Sequence, residues 1–170
     1  MKLKFIHKKL DLNGNWKMRW SDGQRGGDIQ FLFDTDANLS NALDVTVPGE
    51  VHDELIKKGL LSDPNVGLNI FEARWVEETI WYYRRVFRIS KIQKDEKVWV
   101  VFEGLDLASV IYLNGIEIGR HTNYFYPCRI EVTDKLKVGK NVLVVQVESG
   151  LFYAMDFPAE GYGVSIDSKL

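Results

Sequence analysis

Three histidines, one cysteine and 24 acidic side chains are the groups in this 170-residue chain that could move protons, hold a metal or attack a carbon. Their spacing arranges little of this chemistry. His7, His52 and His121 lie far apart, and no His/Cys/Asp set has the close spacing of a metal site. The segment GYGVS, Gly161–Ser165, has neither the third glycine of a dinucleotide loop nor the pattern of a nucleophile elbow. No cofactor and no metal are expected. A glycosidic bond can be cut by two carboxyls held roughly 5–5.5 Å apart with retention, or roughly 6.5–9.5 Å apart with inversion. Glu72, Glu77 and Glu78 lie among aromatic residues, yet a solvated strand end accounts for them equally well. No catalytic residue is assigned.

Aromatic residues are the more informative population. Sugars stack their C–H faces on indole and phenol rings, whereas cores use the same rings for the large apolar area that they bury. Two groups are open to both readings: Trp75, Trp81, Tyr82 and Tyr83, and the later Phe152, Tyr153, Phe157 and Tyr162. From these, Trp75, Trp81, Tyr153, Phe157 and Tyr162 are the candidates for carbohydrate contact. The later group lies in GLFYAMDFPAEGYG, which reads as a loop because its rings follow no period.

Most of the elements that must position these rings alternate as strands do. NWKMRW puts Trp16, Met18 and Trp20 on one face. DIQFLF (28–33) and LDVTV (43–47) read as the next strands. From Trp81 to Ile89, Trp81, Tyr83, Phe87 and Ile89 share one face and Tyr82, Arg84, Val86 and Arg88 the other; Arg85 interrupts the apolar side and points to solvent or an acidic partner. VWVVFEGL (98–105) reads as a central strand buried on both faces. In SVIYLNGIEIG, two apolar runs flank Asn114-Gly115, the pair for a type I′ hairpin turn. RIEVTDKL and NVLVVQV, joined by a turn, complete about eight strands, as in an antiparallel sandwich. One helix is expected, from Glu50 to about Lys58. Acidic residues stand in its first turn, lysines in its last and Gly59 after it, with Val51 and Leu55 able to plug an open end of the core.

Composition agrees with a single soluble domain: 45% hydrophobic, 27% charged. A net charge of −2 gives no reason to expect nucleic acid or an anionic membrane as partner. No segment has the apolar length of a membrane span, and Phe5-Ile6 is too short for a signal core, so a cytoplasmic location is expected. Asn38-Leu39-Ser40 matches a glycosylation sequon, which has meaning only on export. Cys128, alone, reads as a small core residue.

Two blocks carry a family resemblance. Val47-Pro48-Gly49, His52, Leu55, Gly59, Asp63-Pro64, Gly67-Leu68-Asn69, Trp75-Val76, Trp81-Tyr82-Tyr83 and Phe87 resemble the N-terminal domain of β-mannosidases of glycoside hydrolase family 2. Phe102-Glu103-Gly104, Leu113-Asn114-Gly115, Gly119 and Asn141 resemble the sandwich common to that family, including β-galactosidases, β-glucuronidases and exo-β-glucosaminidases. The resemblance implies an all-β jelly roll of the galactose-binding kind. It also implies a retaining parent enzyme whose two glutamates sit on a separate (β/α)₈ barrel. Such a barrel takes about 250 residues by itself and does not fit in this chain. The expectation is a non-catalytic domain, residues 1–170, of a longer protein, cut short at its C-terminal end. Its partners would be the parent's other domains, with a β-mannoside only in the whole enzyme. An unpaired sheet edge could pair two copies. The rivals are a free-standing carbohydrate-binding module or lectin, and the N-terminal domain of a related β-galactosidase, β-glucuronidase or exo-β-glucosaminidase.

Overall fold

The computed structural model describes residues 8–21 and 29–157. Alternating sequence becomes strand almost throughout. The strands are β1 (Gly14–Ser21), β2 (Leu43–Val47), β3 (Ile80–Ile89), β4 (Trp99–Phe102), β5 (Ala108–Leu113), β6 (Ile116–His121), β7 (Cys128–Glu131) and β8 (Gly139–Glu148). Six form one antiparallel sheet in the order β2-β1-β3-β8-β5-β6; β4 and β7 form a second, two-stranded sheet. The architecture is the expected all-β antiparallel sandwich.

The six-stranded sheet is covered on both faces. Its inner face gathers Trp16, Met18, Val45, Trp81, Ile111, Leu113, Leu143 and Val145, which pack with Val100 and Cys128 of the small sheet. On the outer face, Ile80, Tyr82, Val142 and Val144 pack against Leu32. Met18, Ile80, Ile111, Leu113, Val142 and Val144 are completely excluded from solvent. Each such side chain contributes about 1.5–3 kcal/mol relative to exposure. The doubly buried strands are therefore β3, β5 and β8. Of Val98–Leu105, expected to be central, Trp99–Phe102 lies in the small sheet, with Trp99 and Val101 at 52% and 43% exposure. A run of apolar residues cannot by itself tell a doubly covered strand from one with an open face.

Two further expectations are corrected. Residues 30–33 of the expected strand 28–33 form a 3₁₀ turn, Gln30–Phe33. Leu32, 2% exposed, anchors that turn on the outer face. The buried guanidinium of Arg84 donates to the carbonyls of Leu32 (2.8 Å) and Asp34 (2.5 Å). A distant cation thus supplies what a ladder partner would have given. The expected single helix is present as α1 (Val51–Lys57), followed by Gly59 at φ +68°. Two more short helices accompany it, α2 (Asn69–Glu72) and α3 (Gly150–Met155), with a 3₁₀ turn at Arg74–Val76. Residues 150–155, expected as loop, are thus helical; a helix this short shows no resolvable period in sequence.

Leu55 of α1 is fully buried in the main core, with Val51 packed against it. Beside it Glu54, 5% exposed, accepts a hydrogen bond from Lys57 at 2.9 Å, which neutralises a carboxylate that would otherwise be costly to bury. Arg85 donates to the Asn15 carbonyl rather than to an acid. Asn114 (φ +53°) and Gly115 (φ +85°) make the expected hairpin turn. Asn114 also accepts from the Val142 N–H (3.0 Å) and donates to Asn141 (2.9 Å), whose side chain is wholly buried. Cys128 is buried as expected, and burial pushes its thiol up, away from reactivity.

Candidate functional site: the aromatic end of the sandwich

Strand register gathers the candidate rings at one end. Trp20 pairs with Trp81, and Trp81 with Val147. Ala108 pairs with Glu148, and Ser109 with His121. The C-terminal ends of β1, β8 and β6 and the N-terminal ends of β3 and β5 therefore lie side by side. Whatever follows His121 and Glu148, or precedes Ile80, projects from this end.

At its centre three indoles interlock. The ring centroids are 5.5 Å apart for Trp20 and Trp81, 5.8 Å for Trp75 and Trp81, and 6.1 Å for Trp20 and Trp75. All three pairs are tilted by 43–47°, within the geometry that favours edge-to-face attraction. Trp75 reaches the cluster because the 3₁₀ turn folds it back ahead of β3. That turn is closed by Thr79 Oγ1 donating to the Trp75 carbonyl at 2.6 Å. The Trp81 indole donates to the Val76 carbonyl at 3.0 Å. From sequence, Trp75 and Trp81 are expected as sugar contacts or core; Trp20 joins them only in the fold. Trp81 is 3% exposed and has no free ring face to offer a ligand; Trp75 is half-buried at the rim.

The later candidates lie on α3 and just beyond. Tyr153 and Phe157 meet edge to face at 5.0 Å, with Phe157 56% exposed. Ser149 ties the start of this segment to the turn before β3, its hydroxyl donating to the Glu77 carbonyl at 2.5 Å. Tyr162 lies outside the described residues. The structure thus brings Trp75, Trp81, Tyr153 and Phe157 to one end, as one interlocked cluster and one separate ring pair.

Exposed apolar groups that sequence reading did not single out share this end. The segment between β6 and β7 is turned by Asn123, whose Oδ1 accepts from the Phe125 N–H (3.0 Å) and whose carbonyl meets His121 Nε2 (2.5 Å). That turn holds Tyr124, Phe125 and Tyr126 outward at 55%, 85% and 67% exposure. Their signal was three consecutive rings before a proline, a pattern with neither strand nor helix period. Ile70 and Phe71 on α2 and the preceding Val66 and Leu68 are exposed as well.

Among the described residues no group of three or more His, Cys, Asp or Glu could hold a metal. A cleft of about 270 Å³ beside the indoles is lined by Arg19, Trp20, Ser21 and Asn41, with no carboxylate. A second, of about 380 Å³, lies against β1, β2 and α1; its Asp44 and Glu54 are each held by a lysine, Lys17 at 2.8 Å and Lys57 at 2.9 Å. Glu78 pairs with Arg74 at 2.9 Å. Each of these carboxylates is held in an ion pair.

Comparison with known proteins agrees with this geometry. Residues 16–162 match the glycosyl hydrolase 2 galactose-binding domain-like family. The chain is 34% identical over 140 residues to β-mannosidase B of Thermothelomyces thermophilus, covering 82% of the chain and 15% of that protein. It is 32% identical over 146 residues to the β-mannosidase of Bos taurus, covering 85% of the chain and 15% of that protein. The solved β-D-mannosidase of Dictyoglomus thermophilum superposes with a TM-score of 0.69 at 32% identity, covering 88% of this chain and 17% of that one. The chain spans about a sixth of the length of these relatives.

Proposed function

Because this chain belongs to the glycosyl hydrolase 2 galactose-binding domain-like family, we propose that it is the non-catalytic N-terminal domain of a retaining β-mannosidase. In that reading residues 1–170 pack on a catalytic barrel and shape the entrance to its pocket. The barrel, with its glutamate pair, hydrolyses terminal non-reducing β-D-mannose residues. One observation carries the reading: alignment to a β-mannosidase runs over 85% of this chain but only 15% of the relative. The carboxylate ion pairs above favour a domain without chemistry of its own.

The test is the reading frame downstream of Leu170 and the activity of its product. A barrel with two glutamates, and cleavage of a chromogenic β-mannoside by the long protein but not by this chain, is the expected result. Cleavage by the 170-residue chain alone overturns the proposal.

A carbohydrate-binding module is the second reading, favoured by the exposed Phe157 set edge to face against Tyr153. Calorimetry with manno-oligosaccharides at millimolar concentration separates the two, and no heat of binding is expected. Association of copies belongs to the proposal as well. β4 and β7 pair only with each other among the described residues, and the small sheet exposes Trp99 and Val101. Unpaired strand edges template pairing with another chain. Light scattering at high concentration that finds only monomer removes this part. A cytoplasmic location is likewise proposed; glycan on the exposed Asn38 of protein from its native source would refute it.

A further inference from the structure

Large apolar side chains are not spread evenly over this domain. Seventeen are exposed among the described residues. Ten of these lie on segments at the aromatic end: Val66, Leu68, Ile70, Phe71, Tyr124, Phe125, Tyr126, Leu151, Met155 and Phe157. They come from three separate stretches of chain. α2 and the residues before it reach this end because the 3₁₀ turn Arg74–Val76 leads straight into the start of β3. The 122–127 turn and α3 reach it because β6 and β8 end on either side of the start of β5. Two strand spacings, about 10 Å, separate the ends of β6 and β8, and three, about 15 Å, separate β6 from the start of β3, so the three stretches leave the same end of the sheet.

We propose that this end is a docking face for the adjoining module of the longer polypeptide. The inference rests on the reading under Proposed function and assigns the surface through which it works. Size supports it. Exposed large rings and aliphatic chains in this number present on the order of 1,000 Å², at about 150–250 Å² for each complete aromatic side chain. One partner of an ordinary stable interface contributes about 800 Å², whereas exposed apolar patches on monomers seldom exceed a few hundred Å². Composition selects a protein occupant over a sugar. Val66, Leu68, Ile70, Leu151 and Met155 are aliphatic or thioether groups without the ring faces that saccharides stack on, and their burial stabilises a protein–protein contact. The occupant is a module of the same chain because relatives continue for several times the length matched here.

Rigidity adds to the case. The Asn123 hydrogen bonds fix the 122–127 turn, and the Ser149–Glu77 bond fixes the exit of β8. The rings are held outward by ordered backbone, so docking them costs little ordering entropy.

Hydroxyl-radical footprinting of the 170-residue chain and of the full-length protein tests the proposal. Expected is heavy labelling of Tyr124, Phe125, Tyr126, Phe71 and Met155 in the short chain and its loss in the long one. Phe125→Ser combined with Phe71→Ser should leave the unfolding midpoint of the short chain unchanged and restore labelling at Met155 in the long protein. Equal labelling of the face in both proteins overturns the assignment, while the β-mannosidase reading survives. Protection of the isolated chain by added mannose, or a concentration-dependent dimer abolished by the double substitution, overturns it in favour of a sugar or a second copy. A full-length product with no further module defeats both readings together.

Discussion

Trp81 and Val76 are joined by a hydrogen bond from the indole N–H to the backbone carbonyl at 3.0 Å, across the turn that launches β3. The bond closes the main core where the 3₁₀ turn becomes strand, and it positions Trp75 against Trp20. Trp81→Phe should cost about 1–3 kcal/mol, since it keeps a ring but leaves a buried carbonyl without a donor. Trp81→Ala should cost about 3–5 kcal/mol. Urea unfolding followed by tryptophan fluorescence measures both, and equal losses in the two variants would mean that the hydrogen bond dominates the ring.

Arg84 acts as a clamp on residues 29–34. Its side chain is 6% exposed and reaches the Leu32 and Asp34 carbonyls from 52 and 50 positions along the sequence. Lysine keeps the charge but not the planar fork that spans two acceptors. Arg84→Lys should lower stability by about 1.5–3 kcal/mol, the range for a hydrogen bond to a charged group. Amide exchange at Leu32 and Asp34 should quicken beyond the global change.

Asn141 closes the hairpin network from below. It is fully buried; its Oδ1 accepts from the Lys137 N–H at 2.9 Å and from Asn114 at 2.9 Å, and its amide donates to the Lys137 carbonyl at 2.7 Å. Asn141→Leu removes every one of these bonds and strands the Lys137 N–H. A loss of about 2–4 kcal/mol is expected, larger than for Asn114→Ala at the solvent-facing turn.

Gly119 marks where β6 crosses the small sheet. A Cβ there would stand 2.8 Å from Ile130 Cδ1, the flexible tip of a side chain on β7. Gly119→Ala should cost about 1–3 kcal/mol by overpacking. The double variant Gly119→Ala with Ile130→Val, which removes the clashing methyl, should recover part of the loss in thermal melts.

Two groups set opposite limits on stability against pH. The hydrogen bond from Lys140 to Asp36, 2.6 Å, holds that carboxyl below the ordinary carboxylate range. The folded protein therefore binds this proton less readily than the unfolded chain. The contribution is present above about pH 4 and fades as pH falls through the lowered value. Burial, and then the charge of Glu54, push the Tyr83 phenol above its ordinary value. Its contribution is present below about pH 10 and is lost as pH rises beyond that, where only the unfolded chain ionises. Tyr83→Phe should flatten the alkaline decline of stability and Asp36→Asn the acid one, each read from denaturant midpoints across pH.

Strand identity was legible where local chemistry decides it. The Asn114-Gly115 turn, the alternation of β1 and β8 and the acidic start, basic end and Gly59 of α1 all report backbone preferences that act within a few residues. The outcome at Gln30–Phe33 was not legible, because the partner that replaces its ladder bonds is Arg84, about fifty positions away. Nor could an apolar run show that β4 has one open face while β8 has none. That depends on which strands lie beside them.

Family membership and the all-β class were therefore properties of the sequence itself, written in residue types and short spacings. Which aromatic rings are core and which are surface was settled only by the fold. Trp75 and Phe125 are both large rings outside strands. One is drawn against Trp20 and Trp81 by a turn and a hydrogen bond, and the other is held into solvent by Asn123. Burial is a relation between segments remote along the chain, and no local spacing encodes it.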